Sequence, residues 1–305
     1  MGSATRHTLI ETVDSIEVAG HSRTFLSIVP NELPVGSPIV IVFHGSNQSG
    51  EGVRKFAGGA FDDLAAREHL VVVYPDAYKR LWNDARISSD FPARRDGYDD
   101  VAFFKGLVAY FATSVGIDTR RVYVVGYSNG AQLVIRLIHE AGEMLAGAAL
   151  ISATQPAPEN FVDGRTRVPV PILLIHGTRD RLVPYEGGMA SLWGFRPRGL
   201  GLSHIETGKY FARRNGISSQ PSTGILDLPS KGRTSIEVRN WSEPEKYPVR
   251  AYTINGGGHV VPNPVKSAPV IFGRTARSLD SARAIWAFFS ENTMTNRSRS
   301  SETES

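Results

Sequence analysis

The feature that most constrains this chain is a serine that lies between two glycines, after a short apolar run and before a helical one. Residues 121–135 read RVYVVGYSNGAQLVI, in which Ser128 lies between Gly126 and Gly130. The run 123–125 is typical of a buried strand, and the apolar positions that follow Gly130 repeat with helical spacing. A strand that turns this sharply into a helix brings two backbones almost into contact. The positions two before and two after the serine must therefore be small.

In this context the pattern G-x-S-x-G is the nucleophile elbow of the α/β-hydrolase fold. The pattern alone is weak evidence, because an ordinary strand-to-helix turn can have the same residues. The strand before it and the helix after it supply the context that the motif requires. The first backbone N–H groups of that helix point at the serine, where they suit a developing negative charge.

Composition fits one large globular domain. The chain has 305 residues, of which 41% are hydrophobic and 21% charged, and α/β domains reach this length. The net charge is only +4 and no basic block is present, so nucleic acid is not expected as a partner. The chain has no cysteine, which excludes disulfides, thiolate metal ligands and a cysteine nucleophile. We expect no metal and no cofactor.

The ends of the chain bear on its localisation. No apolar run approaches the roughly 18 residues of a membrane helix, so no membrane partner is expected. The first ten residues, MGSATRHTLI, lack the apolar core of a signal peptide. The sequence thus predicts a cytoplasmic protein, or a secreted one whose leader has been removed.

Residues 293–305 are polar and predicted to be disordered, which leaves 1–292 as a single catalytic domain.

Apolar runs alternate with helical patterns, which predicts a mostly parallel sheet with helices on both faces. Alternating segments at 8–13 and 23–29 are typical of antiparallel edge strands. Further strands are predicted at 38–43, 70–74, 123–125, 146–152, 171–175, 234–239 and 249–254. Helices are predicted at 57–68, 99–115, 131–138, 203–215 and 281–289. Loops are predicted at 76–98, 217–233 and 260–278, and a loop or small cap over a site at 186–202.

A serine hydroxyl is a poor nucleophile at neutral pH and needs a base, usually a histidine that an acid orients. Of the eight histidines, only His259 comes late, on a glycine-rich loop after a strand. Asp76, Asp84 and Asp180 all follow strands, and we choose Asp180 because it follows the latest of these strands and precedes His259. The order Ser128, Asp180, His259 is that of the α/β-hydrolase fold. Each of the three follows a strand, and ligands collect at that edge of a parallel sheet.

Several further motifs are spread along the chain. They are His44-Gly45 with Asn47-Gln48, Asp99-Asp100-Val101 with Phe103, Arg121-Val-Tyr with the Gly-Tyr-Ser-Asn-Gly elbow, His176-Gly-Thr-Arg-Asp180 followed by Val183-Pro184-Tyr185, and Gly257-Gly258-His259. With these motifs the chain resembles the esterase/poly(3-hydroxybutyrate) depolymerase family, which includes feruloyl and acetylxylan esterases. The resemblance covers roughly residues 20–290.

The resemblance implies a role for each matched residue. Ser128 is the expected nucleophile, His259 the base and Asp180 the acid that orients it. The backbone N–H groups of Ser46 and Asn129 are the expected oxyanion hole. We also expect four residues to contact the substrate: His44, Trp82, Tyr127 and Trp193. The two tryptophans are expected to line an apolar acyl or aryl pocket.

Two departures from the family bear on the substrate. Many members have cysteine at the position of Ser46, and many have tryptophan at the position of Val261, where it helps to shape the cleft. The sequence therefore favours a small soluble ester, of the hydroxyalkanoate oligomer or aryl/feruloyl type, over a polyester granule.

Two other functions stay open at this point. An acyltransferase or thioesterase of the same fold would use the same three residues, because only the acceptor or the leaving group differs. A catalytically inactive hydrolase fold could serve as a binding module, although intact Ser128, Asp180 and His259 count against this interpretation. No feature of the sequence predicts an oligomeric state.

Overall fold

The computed structural model describes residues 8–162, 164, 166–192, 195–228 and 232–292. The strands in these residues are β1 (Leu9–Val18), β2 (His21–Pro30), β3 (Ile39–Phe43), β4 (Val71–Pro75), β5 (Val122–Tyr127), β6 (Gly147–Ile151), β7 (Ile172–Gly177), β8 (Gly188–Leu192), β9 (Phe195–Gly201), β10 (Ser222–Ile225), β11 (Ser235–Trp241) and β12 (Val249–Asn255). The helices are α1 (Gly50–Phe56), α2 (Ala60–Glu68), α3 (Pro92–Arg95), α4 (Asp100–Ser114), α5 (Asn129–Glu140), α6 (His204–Arg214) and α7 (Ser281–Glu291).

Ten strands form one sheet in the order β1-β2-β4-β3-β5-β6-β7-β12-β11-β10. The six strands from β4 to β12 in that order run parallel. The two strands on each flank are antiparallel. The mostly parallel sheet of the α/β-hydrolase fold is therefore confirmed, as are the antiparallel strands at the start of the chain. Because parallel strands end at one edge, the loops that follow β3, β5, β7 and β12 meet there.

The sheet divides the core into two apolar layers, because successive side chains of a strand point to opposite faces. In β3, Ile39, Ile41 and Phe43 pack in one layer, while Val40 and Val42 pack in the other. Helices α4, α5 and α6 contribute to the first layer, and α1, α2 and α7 to the second. None of the described helices is long and apolar enough to cross a membrane.

The glycines that flank Ser128 are required by close packing. A Cβ atom on Gly126 would lie 2.5 Å from the backbone of Ala131, and one on Gly130 would lie 2.3 Å from the carbonyl oxygen of Phe43. Neither backbone atom can give way at these distances. The prediction that strand and helix nearly touch at the elbow is confirmed.

The structure also departs from the predicted elements. Helix α1 lies where no helix was predicted, because the sequence GEGVRKF contains two glycines and buries only Gly50 and Val53. Strand β10 lies in a predicted loop, and its four residues are all exposed. Strands β8 and β9 pair as an antiparallel hairpin within the segment predicted as a loop or small cap. These elements are short and bury few apolar side chains, so they carry little apolar periodicity.

Candidate active site

Ser128 occupies the sharp turn between β5 and α5. Its backbone has φ 55° and ψ −116°, a strained conformation that non-glycine residues adopt only when their surroundings impose it. The Ser128 N–H donates to the carbonyl oxygen of Ile151 at 2.9 Å, which ties the turn to β6. The surrounding backbone thus holds the serine beyond the end of the sheet.

Ser128, His259 and Asp180 form a continuous chain of hydrogen bonds. Nδ1 of His259 lies 2.7 Å from Oδ2 of Asp180, and Nε2 of His259 lies 2.9 Å from Oγ of Ser128. A carboxylate can only accept, so Nδ1 carries the hydrogen and Nε2 is left to accept the serine proton. This is the tautomer that a general base needs.

Asp180 is surrounded by donors. Its Oδ1 accepts from the N–H groups of Leu182 at 2.8 Å and Val183 at 2.9 Å. Its Oδ2 faces His259 and also His176, whose Nε2 lies 3.2 Å away. Burial would raise the pKa of the Asp180 carboxyl, but His259 and His176 outweigh it and hold the pKa below its ordinary value. The carboxylate therefore stays charged inside the protein.

The loop that carries His259 is anchored on both sides. The His259 N–H donates to the carbonyl oxygen of Phe272 at 2.7 Å, and the Tyr127 hydroxyl donates to the carbonyl oxygen of His259 at 2.8 Å. The rings of Tyr127 and His259 lie 5.2 Å apart. Tyr127 thus positions the histidine from the strand that also carries Ser128.

Ser46 and Asn129 line the same cavity as Ser128, with their backbones at the end of β3 and the start of α5. A helix gives its first N–H groups no acceptor of its own, so the N–H of Asn129 is available to a ligand. The side chain of Asn129 is used elsewhere: Oδ1 accepts from Trp82 N–H at 2.9 Å, and Nδ2 donates to Asp84 Oδ2 at 2.7 Å.

The loop of Ser46 is held by its neighbours. Gln48 Oε1 accepts from the Gly45 N–H at 3.0 Å, and the Asn47 N–H donates to the carbonyl oxygen of Arg80 at 3.0 Å. Asn47 adopts a left-handed φ of 62°. These bonds fix the backbone on both sides of the Ser46 N–H.

We call the cavity around Ser128 the serine cavity. Its volume is about 450 Å³, which falls within the range of small-molecule sites. It is lined by Ser46, Asn47, Gln48, Phe56, Arg86, Tyr127, Ser128, Asn129, Leu182, Val183, Ala190, Ser191, Arg198, His259, Pro269 and Phe272. The hairpin contributes Ala190, Ser191 and Arg198 to this lining, so part of the segment predicted as a cap borders the site.

Two predicted substrate contacts are corrected by the structure. His44 is fully buried, and its Nε2 accepts from the Ala77 N–H at 3.0 Å. Trp82 is also fully buried, and its indole N–H donates to the carbonyl oxygen of His44 at 2.9 Å. Neither residue lines the serine cavity. Both support the site from the core, because their polar side-chain atoms form hydrogen bonds with backbone groups close to it. Trp193 lies outside the described residues.

Several residues at the site were not predicted from the sequence. Phe56 and Phe272 line the serine cavity, together with Arg86, whose guanidinium pairs with buried Asp84. Phe56 could not be assigned because helix α1 was not predicted. Arg86 lies in an irregular segment and Phe272 ends a single 3-10 turn (Val270–Phe272), and apolar periodicity determines the course of neither.

The chain has the α/β-hydrolase fold, and Ser128, His259 and Asp180 are hydrogen-bonded in series where its parallel strands end. A family model described as phospholipase/carboxylesterase matches residues 99–192. Among curated proteins, the chain is 28% identical over 282 residues to "Putative esterase NocK" of Nocardia uniformis subsp. tsuyamanensis, covering 89% of this chain and 80% of that protein. It is 27% identical over 233 residues to feruloyl esterase B of Piromyces equi, covering 73% of this chain and 39% of the relative's length.

A solved structure supports the fold independently. The acetyl xylan esterase from Aspergillus awamori superposes with a TM-score of 0.60 at 18% identity, over 84% of this chain and 95% of that one. The resemblance to esterases that include feruloyl and acetylxylan esterases is confirmed, and it supports an enzyme of the carboxylic ester hydrolase class.

Proposed function

We propose that this protein is a serine esterase that hydrolyses carboxylic esters of small soluble substrates through an acyl-enzyme intermediate. The observation that carries the proposal is the geometry of His259, which lies 2.9 Å from Ser128 Oγ and 2.7 Å from the Asp180 carboxylate. Two backbone N–H groups, of Ser46 and Asn129, belong to residues that line the same cavity.

In the first half-reaction, Ser128 Oγ attacks the carbonyl carbon of the ester and His259 Nε2 accepts the serine proton. The N–H groups of Ser46 and Asn129 stabilise the negative oxygen of the tetrahedral intermediate. As the bond to the alcohol oxygen breaks, His259 donates its proton to that oxygen, and the acyl group stays on Ser128.

In the second half-reaction, water attacks the acyl-enzyme while His259 accepts its proton. The carboxylic acid leaves and Ser128 regains a hydrogen from His259. The buried carboxylate of Asp180 stabilises the imidazolium that forms in each half-reaction.

The lining of the serine cavity supports a small ester with an acyl part up to aryl size, such as a hydroxyalkanoate oligomer or a feruloyl-type ester. Phe56 and Phe272 supply apolar walls, and one of the curated relatives is a feruloyl esterase by name. Val261 is only 2% exposed. It therefore adds no surface for a polymer at the position where the resembling family often has tryptophan.

The test uses Ser128→Ala and a panel of p-nitrophenyl esters of rising acyl length, with methyl ferulate and polyhydroxybutyrate. Wild type should hydrolyse the small esters. Ser128→Ala should lose on the order of 10⁴-fold in turnover or more. A serine-directed phosphonate should add once, at Ser128, as seen by peptide mass spectrometry. Activity of Ser128→Ala near that of wild type would refute the proposal.

A thioesterase or acyltransferase remains the alternative within the same chemistry. A matched acetyl thioester and an added alcohol acceptor separate these activities from ester hydrolysis. Faster turnover of the thioester, or preferred transfer to the alcohol, would replace the esterase assignment without changing the roles of the three residues.

A further inference from the structure

A second cavity, which we call the arginine cavity, opens beside His259. Its volume is about 260 Å³. It is lined by Arg179, Arg181, Leu182, Gly256, His259, Val270, Ile271, Phe272, Gly273 and Arg274. His259, Leu182 and Phe272 line both cavities. Ser128 and the two proposed oxyanion residues border only the serine cavity.

The charged side chains that line the arginine cavity are positive. Arg179, Arg181 and Arg274 line it, and no Asp or Glu is found among its described lining residues. Within the described part of the chain, none of the three arginines forms an ion pair. The nearest carboxylate in sequence, Asp180, is turned inward with a fully buried side chain. Three arginines that line one concave surface attract an anion.

The position of this cavity relative to His259 indicates which part of a substrate would enter it. In the proposed reaction, the acyl carbon bonds to Ser128 and its oxygen points at the N–H groups of Ser46 and Asn129. The alcohol oxygen must face His259 Nε2, which protonates it. A cavity that shares His259 but lacks Ser128 and the oxyanion donors is therefore placed for the alcohol part.

We propose that the arginine cavity binds an anionic group carried by the alcohol part of the ester, so that the preferred substrates are esters of a hydroxycarboxylic acid or of a phosphorylated alcohol. This inference rests on the proposed esterase function and specifies its substrate. The volume corresponds to about nine water molecules, which suits a short alcohol with one charged group. Val270, Ile271 and Phe272 provide an apolar wall for its hydrocarbon part.

The two anions share one recognition chemistry, because a guanidinium group binds a carboxylate or a phosphate with paired N–H donors. Substrates with the same acetyl group and different alcohol parts distinguish them. The test compares 3-acetoxypropanoate, its uncharged and nearly isosteric amide 3-acetoxypropanamide, and 2-acetoxyethyl phosphate, at low and high ionic strength.

Wild type should hydrolyse at least one anionic ester with a kcat/KM about 10-fold or more above that of the amide. The preference should shrink at high salt, since the arginines are exposed and screened. The better of the two anions identifies the group that the cavity accepts.

The variant Arg181→Gln with Arg274→Gln should lose the preference while its kcat/KM on the amide stays that of wild type. The control Arg120→Gln removes one exposed positive charge, paired with Asp118, before β5 at the edge of the sheet opposite Ser128, and should keep the preference. If the double variant does not fold, the single variants Arg181→Gln and Arg274→Gln should each reduce the preference in part.

The outcomes separate this inference from the proposed function. If wild type hydrolyses p-nitrophenyl acetate and the ester bond of 3-acetoxypropanamide but shows no preference for the anionic esters, the proposed role of the arginine cavity is wrong. The proposed esterase function is then unaffected. No hydrolysis of p-nitrophenyl acetate or of any of the three acetyl esters refutes the esterase itself. An anionic preference that survives the double variant also overturns the role of the arginines.

Discussion

At the scale of single residues, the charge on Asp180 is the most heavily supported feature of the site. The carboxylate accepts from two backbone N–H groups and faces two histidines. Each donor favours the charged form of the carboxyl over the neutral one. The site therefore does not depend on solvent to keep this acid ionised, and His259 always has an acceptor for its Nδ1–H.

We predict that Asp180→Asn folds and lowers kcat by on the order of 10⁴-fold, because an amide can donate to Nδ1 and favour the wrong imidazole tautomer. Steady-state kinetics and a thermal melt measure the two effects. Asp84→Asn is the matched comparison, since Asp84 is also buried but bonds Arg86 and Asn129. A greater loss of kcat in Asp84→Asn than in Asp180→Asn would contradict our choice of acid.

His176 is a positioning residue, because it contacts the Asp180 carboxylate and so holds it against His259. Its Nε2 lies 3.0 Å from the carbonyl oxygen of Val183 and 3.2 Å from Asp180 Oδ2. Both atoms are acceptors, so Nε2 carries the hydrogen. His176→Phe keeps a ring but removes this donor, and we expect kcat to fall roughly 10- to 100-fold with KM little changed, the cost of one hydrogen bond to a charged group.

His176→Gln restores a donor and should recover part of kcat. A purely packing role predicts the reverse order, with the aromatic variant closer to wild type than the amide. Comparison of kcat for the two variants therefore decides between positioning and packing.

At the scale of elements, the hairpin of β8 and β9 borders the serine cavity, and we propose that it selects the acyl group. Ala190 is 8% exposed and lines the serine cavity, whereas the adjacent Met189 is 48% exposed and does not. Ser191 also lines the cavity, and the register of β8 against β9 shifts between Met189 and Ser191, so the strand does not alternate strictly here. A larger side chain at Ala190 would occupy the space of the substrate.

We predict that Ala190→Phe lowers kcat/KM on bulky or aryl esters by roughly 5- to 150-fold, the range expected for the loss of about 1–3 kcal/mol of transition-state binding. Acetyl esters should change little. The control Met189→Phe adds a ring on the solvent face and should leave both classes unchanged. Equal losses on small and bulky esters in Ala190→Phe would mean that the hairpin does not select the acyl group.

Elements with long apolar patterns were predictable, and the site was predictable only in part. Strands β3 and β7 lie within two residues of their predicted bounds, because a buried parallel strand is a continuous apolar run. The candidate residues Ser128, Asp180 and His259 followed from the order of strands and loops. The role of Trp82 did not, because an aromatic in an irregular segment can face a cavity or the core. Only the tertiary bonds to His44 and Asn129 decide which.

At the scale of the whole molecule, the buried side chain of His44 makes the free energy of unfolding depend on pH. Burial lowers the pKa of His44 to about 4, against the opposing effect of its bond to the Gly45 carbonyl. The neutral ring is required by the structure. Its Nδ1–H donates to that carbonyl at 2.7 Å, and Nε2 accepts from the Ala77 N–H. A second proton would sit on Nε2, so that its N–H would face the Ala77 N–H inside the protein, and neither group would have an acceptor.

The sign of the effect follows from the lowered pKa. The unfolded chain takes up a proton at His44 near pH 6.5, and the folded chain does so only near pH 4. The contribution of His44 is therefore fully present above about pH 6.5 and is lost as the pH falls through about 4. Between pH 7 and pH 5 this single group should lower the free energy of unfolding by about 2 kcal/mol.

We predict that His44→Asn and His44→Phe both reduce this pH dependence by that amount, because neither side chain titrates. The two variants will differ in stability at pH 7, since asparagine can keep a hydrogen bond and phenylalanine cannot. Their loss of stability between pH 7 and pH 5 should nevertheless be the same, and smaller than that of wild type. Urea unfolding at the two pH values measures each difference. A wild-type pH dependence in both variants would show that His44 is not the group whose protonation destabilises the fold.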